Sequence, residues 1–293
     1  MEKKHKKQIS QGGMLLTLFL FFVFTSCQQK IDLKIPDYHQ KLVVEGRIET
    51  GSTPQVYLSY TVPYFGAHTT NLAELAVKGA FVTVTDGTTT DTLKDATLGN
   101  GFFYKASNMI GAAGKTYNLT IQVNGKTYTA QTTIYKQVKL DTLWFKPTKQ
   151  DSLGLIYTHM EEPGGEQNQY RWEAKRIGKD QDFIAPLGSA FDDKFIDGKS
   201  FDFAYDRGML QNSESDDDNN AERGLFKRGQ TVVVKFSTIG HDEFLFFRSY
   251  DANNISNGNP FAAPTNLQSN IHGENAIGVW CGYNSFLDTV LLK

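Results

Sequence analysis

Residues 116–134 read TYNLTIQV-NG-KTYTAQTTI, two β-prone arms on either side of Asn124-Gly125. Asn-Gly supplies two residues that tolerate positive φ, as a two-residue type I′ turn requires, and that turn matches the twist of paired strands. In the first arm Tyr117, Leu119, Ile121 and Val123 share a face; in the second Tyr128 and Ala130 do. The hairpin therefore has one apolar side, which it cannot bury alone, and further strands must pack on it.

Working outward, Leu42-Val43-Val44 and Val56-Tyr57-Leu58 are apolar runs of strand length. Ala80 to Thr85 alternates with period two and stops at the turn dipeptide Asp86-Gly87. Short strands at this spacing, with no helical period, predict an immunoglobulin-like β-sandwich over residues 38–137. From Val138 a second, larger β-rich domain is expected, over 138–293. There Gly154–Met160 and Gln169–Ile177 read as paired strands joined across Glu161-Glu162-Pro163-Gly164-Gly165. Tyr170, Trp172 and Ala174 alternate with Arg171, Glu173 and Lys175, a half-buried pattern. Thr231 to Phe236 is another strand, and Ile277–Tyr283 with Phe286–Leu292 reads as a closing pair. One helix is expected from about Gly240 to Asn253, with Asp242 and Glu243 in its first turn opposing the helix dipole and Phe244, Phe247 and Tyr250 on one face. The fold class is mainly β: an N-terminal sandwich, then a β-rich domain with one helix.

The chain has 293 residues, 40% hydrophobic and 21% charged, enough to bury a core. Its 30 Lys and Arg against 32 Asp and Glu leave no basic excess, so no nucleic-acid partner is expected. Two cysteines exclude a disulfide framework.

Residues 1–26 read as an export signal. Lys3, Lys4, Lys6 and Lys7 form a basic start, and an apolar run follows from Met14 to Phe24, interrupted only by Thr17. That run fits a signal core and falls short of the ~20 residues needed to span a bilayer. It ends in Phe24-Thr25-Ser26-Cys27, which resembles a bacterial lipobox and makes Cys27 the lipid-attachment residue. Cleavage before Cys27 removes four lysines and one glutamate and shifts the net charge from −2 to −5. Residues 27–37 would be the lipidated tether, held on the outer membrane by acyl chains such as palmitate. No dense acidic run follows Cys27, so the periplasmic and cell-surface faces both stay open.

A search for catalytic patterns finds no Gly-x-Ser-x-Gly, His-Glu-x-x-His, phosphate loop or Cys-x-x-Cys. His39, His68, His159, His241 and His272 are scattered singly and read as surface or turn residues. Asp192, Asp193, Asp197, Asp202 and Asp206 interleave with Phe191, Phe195, Phe201 and Phe203, and Asp216, Asp217 and Asp218 follow. Calcium needs six to eight converging oxygens, and this spacing is not that of an EF-hand. The segment reads as a turn-rich stretch anchored by its phenylalanines, with no metal or cofactor assigned. Cys281, between Trp280 and Gly282, reads as a buried small apolar side chain rather than a nucleophile. Two irregular segments, Ala185–Arg223 and Asn253–Gly273, place the partner contact in the second domain, with Phe191, Tyr205 and Phe261 as anchors if exposed.

The order of several short motifs resembles the DUF4249 family of Bacteroidota lipoproteins. The carriers are Leu42-Val43-Val44-Glu45-Gly46, Gly79-Ala80 leading into Val82–Gly87, Gly125-Lys126-Thr127-Tyr128, Gln169-Tyr170-Arg171-Trp172 and Phe195-Ile196-Asp197-Gly198-Lys199. The C-terminal part is the most specific: Asn259-Pro260-Phe261, Ser269-Asn270-Ile271, Gly273, Gly278 and Gly282-Tyr283. The resemblance implies an accessory role, binding or lid-like, beside a TonB-dependent outer-membrane transporter. It supplies no catalytic residue, and only Cys27 carries over as a named site. Two other classes stay open: a structural or adhesive surface module, and a secreted hydrolase with a site assembled from dispersed residues.

Overall fold

A computed structural model describes residues 38–63, 72–98, 101–149, 152–208, 224–256 and 266–293. The signal segment, Cys27, the tether, the acidic run at 216–218 and the Asn259-Pro260-Phe261 motif lie outside the described residues. The chain divides into two units, Met1–Tyr38 and His39–Lys293, and the second carries every described element. Its strands are β1 Leu42–Glu49, β2 Gln55–Tyr60, β3 Phe81–Thr85, β4 Thr90–Leu98, β5 Gly101–Lys105, β6 Thr116–Val123, β7 Lys126–Thr133, β8 Thr142–Pro147 and β9 Leu153–Glu161. They continue as β10 Gln169–Arg176, β11 Ala190–Asp192, β12 Ser200–Tyr205, β13 Phe226–Lys227, β14 Thr231–Ile239 and β15 Ala276–Leu291. The helices are the one-turn α1 Leu72–Leu75 and α2 His241–Ser256.

The β6–β7 hairpin forms as expected. Asn124 and Gly125 have φ of 51° and 73°, and Val123 faces Lys126 across the turn. Its apolar face joins a core with Leu42, Val44 and Ile48 of β1, Val82 and Val84 of β3, and the buried Trp280. This arrangement is consistent with the expected N-terminal sandwich.

The expected division near residue 138 is not confirmed, because strands from both parts share one sheet. Eleven strands run in the order β11-β10-β14-β15-β1-β2-β5-β4-β3-β6-β7. The link is β15, and here the structure corrects the reading of a closing pair. Residues Ala276–Tyr283 lie parallel to β1, and Asn284–Leu291 lie antiparallel to β14, in one continuous sixteen-residue strand. Nothing at Asn284-Ser285 reverses the chain. The Asn284 amide donates to the Tyr135 carbonyl at 2.7 Å, and the Ser285 and Ser237 hydroxyls meet at 2.9 Å, so the strand simply changes partners there.

The second correction concerns β9 and β10, which are not a hairpin. β9 is the centre of a four-stranded sheet with β8, β12 and β13, whereas β10 pairs with β11 and β14. Their apolar faces meet across the layer: Ile156 and Met160 from one, Tyr170, Trp172 and Ala174 from the other, with Val232, Val234 and Phe236. Alternation marks an inward face, and that face suits a sandwich layer as well as a hairpin. The turn between them is held instead by Glu162, which accepts from the Tyr170 hydroxyl at 2.9 Å, Asn168 Nδ2 at 3.0 Å and the Gly198 N–H at 2.7 Å.

Helix α2 forms where expected. Phe244 and Phe247 are buried against Ile239, Val279, Cys281 and Tyr283, whereas Tyr250 is 43% exposed and leaves the face assigned to it.

Candidate ligand-binding cleft

Strand β1 alternates strictly. Leu42, Val44, Gly46 and Ile48 face the core, and Val43, Glu45, Arg47 and Glu49 face the other way. β10 does the same, turning Arg171, Glu173 and Lys175 away from Tyr170, Trp172 and Ala174. Because β10, β14, β15, β1 and β2 are successive neighbours in the sheet, these outward side chains fall on one surface. Register brings Glu173 opposite Lys235, Glu49 opposite Tyr283, Glu45 opposite Tyr57 and Arg47 opposite Gln55.

Two contiguous hollows lie on this surface. One, of about 640 Å³, is polar and is bounded by Asp182 and Phe183 on one side and by Ser52, Thr53 and Gln55 on the other. The second, of about 330 Å³, runs under α2 and is lined by Val43, Val279, Phe246, Phe247 and Tyr250. Glu45, Arg47, Arg171, Glu173 and Lys235 line both. The result is a single cleft with a polar end and an apolar end.

Lys235, buried on β14, sends Nζ to within 3.3 Å of Glu49 and 3.7 Å of Glu173, over the Tyr283 ring at 4.9 Å. Arg171 is less well served. Its guanidinium carbon sits 3.5 Å from the Phe247 ring centre, Nη1 donates to the Tyr283 hydroxyl at 3.3 Å, and Nη2 lies 3.9 Å from Glu173. Its buried Nε has no hydrogen-bond partner among the described residues. Burial works against the Arg171 charge, but Tyr283, Glu173 and Glu45 outweigh it and keep the pKa above the usual arginine value. Burial also pushes the Tyr283 phenol well up, so its hydroxyl stays neutral and can accept from the guanidinium.

The acidic segment divides between core and surface. Phe191, Phe201, Phe203 and Tyr205 pack against the core of the second part, so neither Phe191 nor Tyr205 is a free anchor; Phe195 is 76% exposed. Phe261 lies outside the described residues. Glu162, Asp193 and Asp197 bring carboxylate oxygens within 4.8 Å of one another. Protein donors already hold them: Asp193 accepts from the Asn168 N–H at 2.6 Å and Asp197 from the Gly165 N–H at 2.8 Å, besides the three donors on Glu162. Burial, with the charges of Glu162 and Asp197, pushes the Asp193 carboxyl up, while the Asn168 N–H works the other way. These carboxylates could ligate a cation only by adding to bonds they already make. Asp141, His159 and Glu161 approach one another similarly.

Spacing alone did not reveal one contact. His159 on β9 faces Asp202 on β12, its Nδ1 2.6 Å from the carboxylate and its Nε2 2.9 Å from the Ser200 hydroxyl. The order is that of a nucleophile, base and orienting acid. The three side chains stand on the open face of the small sheet, with Asp202 57% exposed. The two backbone N–H groups before Ser200 are taken, Gly198 by Glu162 and Lys199 by the Ile196 carbonyl. Cys281 is fully buried and burial pushes its thiol well up, as expected for an apolar packing residue.

Fold and cleft together define a layered β protein with a charged, half-apolar surface cleft. The family model for the domain of unknown function DUF4249 matches residues 28–286, and the chain belongs to that family. No curated protein matches the chain. Among solved structures, the chain is similar to a DUF4785 family protein from Legionella pneumophila at 8% identity and a TM-score of 0.21, over 67% of this chain and 52% of that one. The chain thus spans about half the length of that protein.

Several family motif residues have a packing reason. Gly278 has φ 139°, and a Cβ there would meet the Val44 carbonyl oxygen at 1.9 Å. Asn270 brackets the Trp280 backbone, donating to its carbonyl at 2.8 Å and accepting from its N–H at 2.9 Å.

Proposed function

We propose that the chain is a lipid-anchored outer-membrane protein that acts as a non-catalytic binding or lid-like subunit beside a TonB-dependent transporter, with the cleft as its ligand surface. The observation that carries the binding role is the cleft itself: a weakly partnered guanidinium and a buried lysine at the floor of a hollow with an aromatic wall. Pockets with a mainly apolar wall and a few converging polar groups are the usual form of a small-molecule site. The anchor rests on the basic, apolar and Thr25-Ser26-Cys27 order, and the transporter on the family likeness. The cleft draws on β1 and β2 as well as β10, β14 and α2, so both parts of the chain contribute to it.

Two measurements test this reading. Cys27→Ala should move the protein from the membrane to the soluble fraction and stop incorporation of labelled fatty acid. The native protein extracted from membranes should co-purify with an outer-membrane transporter. Unchanged membrane association would remove the anchor, and recovery without a transporter would remove the partner.

A second reading, a secreted hydrolase, is favoured by the Ser200, His159 and Asp202 contacts. Covalent labelling of Ser200 by a fluorophosphonate would turn the assignment to that class.

A further inference from the structure

The apolar end of the cleft has a defined charge character. Arg47, Arg171 and Lys235 line it with Glu45 and Glu173, and Glu49 reaches Lys235 from the polar end, so three cations meet three carboxylates. Lys235 is already engaged by Glu49 and Glu173. Arg171 is not matched in this way. A guanidinium has five N–H donors in a planar fork suited to a carboxylate. Here one donor reaches a phenol at 3.3 Å, the Glu173 carboxylate stands at 3.9 Å, and the buried Nε has no hydrogen-bond partner among the described residues. Leaving a charged donor unmet in a desolvated place is costly unless something supplies the acceptor. Directly beside it, Phe246, Phe247, Tyr250, Val43 and Val279 present an apolar wall. The hollow of about 330 Å³ lies at the small end of the range for organic ligands.

We infer that this end of the cleft binds an amphipathic organic carboxylate, its anionic group on Arg171 and its apolar body against Phe246, Phe247 and Tyr250. This deepens the binding-subunit reading and rests on it. The carboxylate completes the hydrogen bonding of the guanidinium. The aromatic wall then shields that ion pair from water and strengthens it. An amine of the same shape sets a second cation against the Arg171 guanidinium, and an alcohol forgoes the charge-assisted bonds. The hollow therefore discriminates by charge first and apolar length second.

The test uses the full chain purified in detergent and three probes of one shape: 4-phenylbutyrate, 4-phenyl-1-butanol and 4-phenylbutylamine. Binding is measured by titration calorimetry. The acid should bind at least roughly tenfold tighter than the alcohol, and the amine should not bind. Arg171→Met, which keeps the unbranched stem over Phe247, should bring the acid down to the level of the alcohol. Tyr250→Ala changes an exposed helix residue and leaves the fold intact. It should weaken acid and alcohol together while preserving their ratio. Equal binding of acid and alcohol to the unaltered chain would overturn the carboxylate and leave the binding-subunit reading standing. No binding of either, or acid binding untouched by both variants, would overturn the cleft as the ligand site. Loss of transporter co-purification would touch only the broader reading.

Discussion

The indole of Trp280 packs over Gly46, its register partner in the parallel β1–β15 pair, so closely that a Cβ on residue 46 would lie 2.6 Å from Cε3. The indole Nε1 donates to the Tyr117 carbonyl at 3.1 Å, tying β15 to the hairpin strand β6. One fully buried aromatic thus joins the C-terminal strand to the N-terminal core, and a missing side chain on β1 makes the space for it.

Gly46→Ala should destabilise the protein by about 1–3 kcal/mol through overpacking, since Gly46 lies outside the positive-φ region and only space is at issue. Trp280→Phe opens room at the same place. In urea unfolding the double variant should lose clearly less than the sum of the two single changes. Strict additivity would mean that the indole does not set the limit at residue 46.

Gly125 has φ 73° at the second position of the β6–β7 turn. Gly125→Val places a β-branched side chain in the left-handed region and should cost on the order of 1–2 kcal/mol. A change in urea midpoint smaller than experimental scatter would contradict the turn geometry.

Glu243, in the first turn of α2, is buried and takes a hydrogen bond from the Thr132 hydroxyl. Burial raises its pKa from 4.5 to about 7, against the pull of that hydrogen bond. The folded state therefore keeps this proton up to about pH 7, where the unfolded chain has already lost it. Stability falls as pH rises between those values, by up to about 3 kcal/mol from this group, and is level above. Glu243→Gln keeps the shape and removes the titration. The variant should gain stability relative to the parent between pH 5 and pH 8; an equal difference at both pH values would refute the assignment.

The hydrogen bond to Asp202 raises the His159 pKa above its ordinary 6.5. By NMR titration His159 should hold its proton above that value, and Asp202→Asn should bring the midpoint down. On the non-catalytic reading, Ser200 stays unlabelled by a fluorophosphonate that modifies serine hydrolases, at a pH where His159 is neutral.

Much of the local structure was legible in the residues themselves. Asn124-Gly125 with its flanking alternation located the hairpin, because only certain residues accept positive φ and only a period of two gives a strand one apolar face. The same period in Tyr170 to Lys175 separated the inward face from the outward one, and Asp242 and Glu243 marked the start of α2. Half of the cleft could be read this way: Arg171, Glu173 and Lys175 were visible as the outward row of a half-buried strand.

What faces that row depended on tertiary structure. Alternation reports which side of a strand is buried but carries no information about its neighbour. Hence β9 and β10 looked like a hairpin, although their apolar faces meet across two sheets. β15 looked like two strands because the polar Asn284-Ser285 separates two apolar runs, yet the strand continues through them and only its partner changes. The parallel pairing of β1 with β15 joins strands far apart in the sequence, and with the β15–β14 and β14–β10 pairings it brings Glu45, Arg47 and Glu49 beside Arg171 and Lys235. Local residue preferences determined the strands, turns and helix; the cleft exists because a non-local ladder, stabilised by Trp280 over Gly46, puts two distant charged faces on one surface.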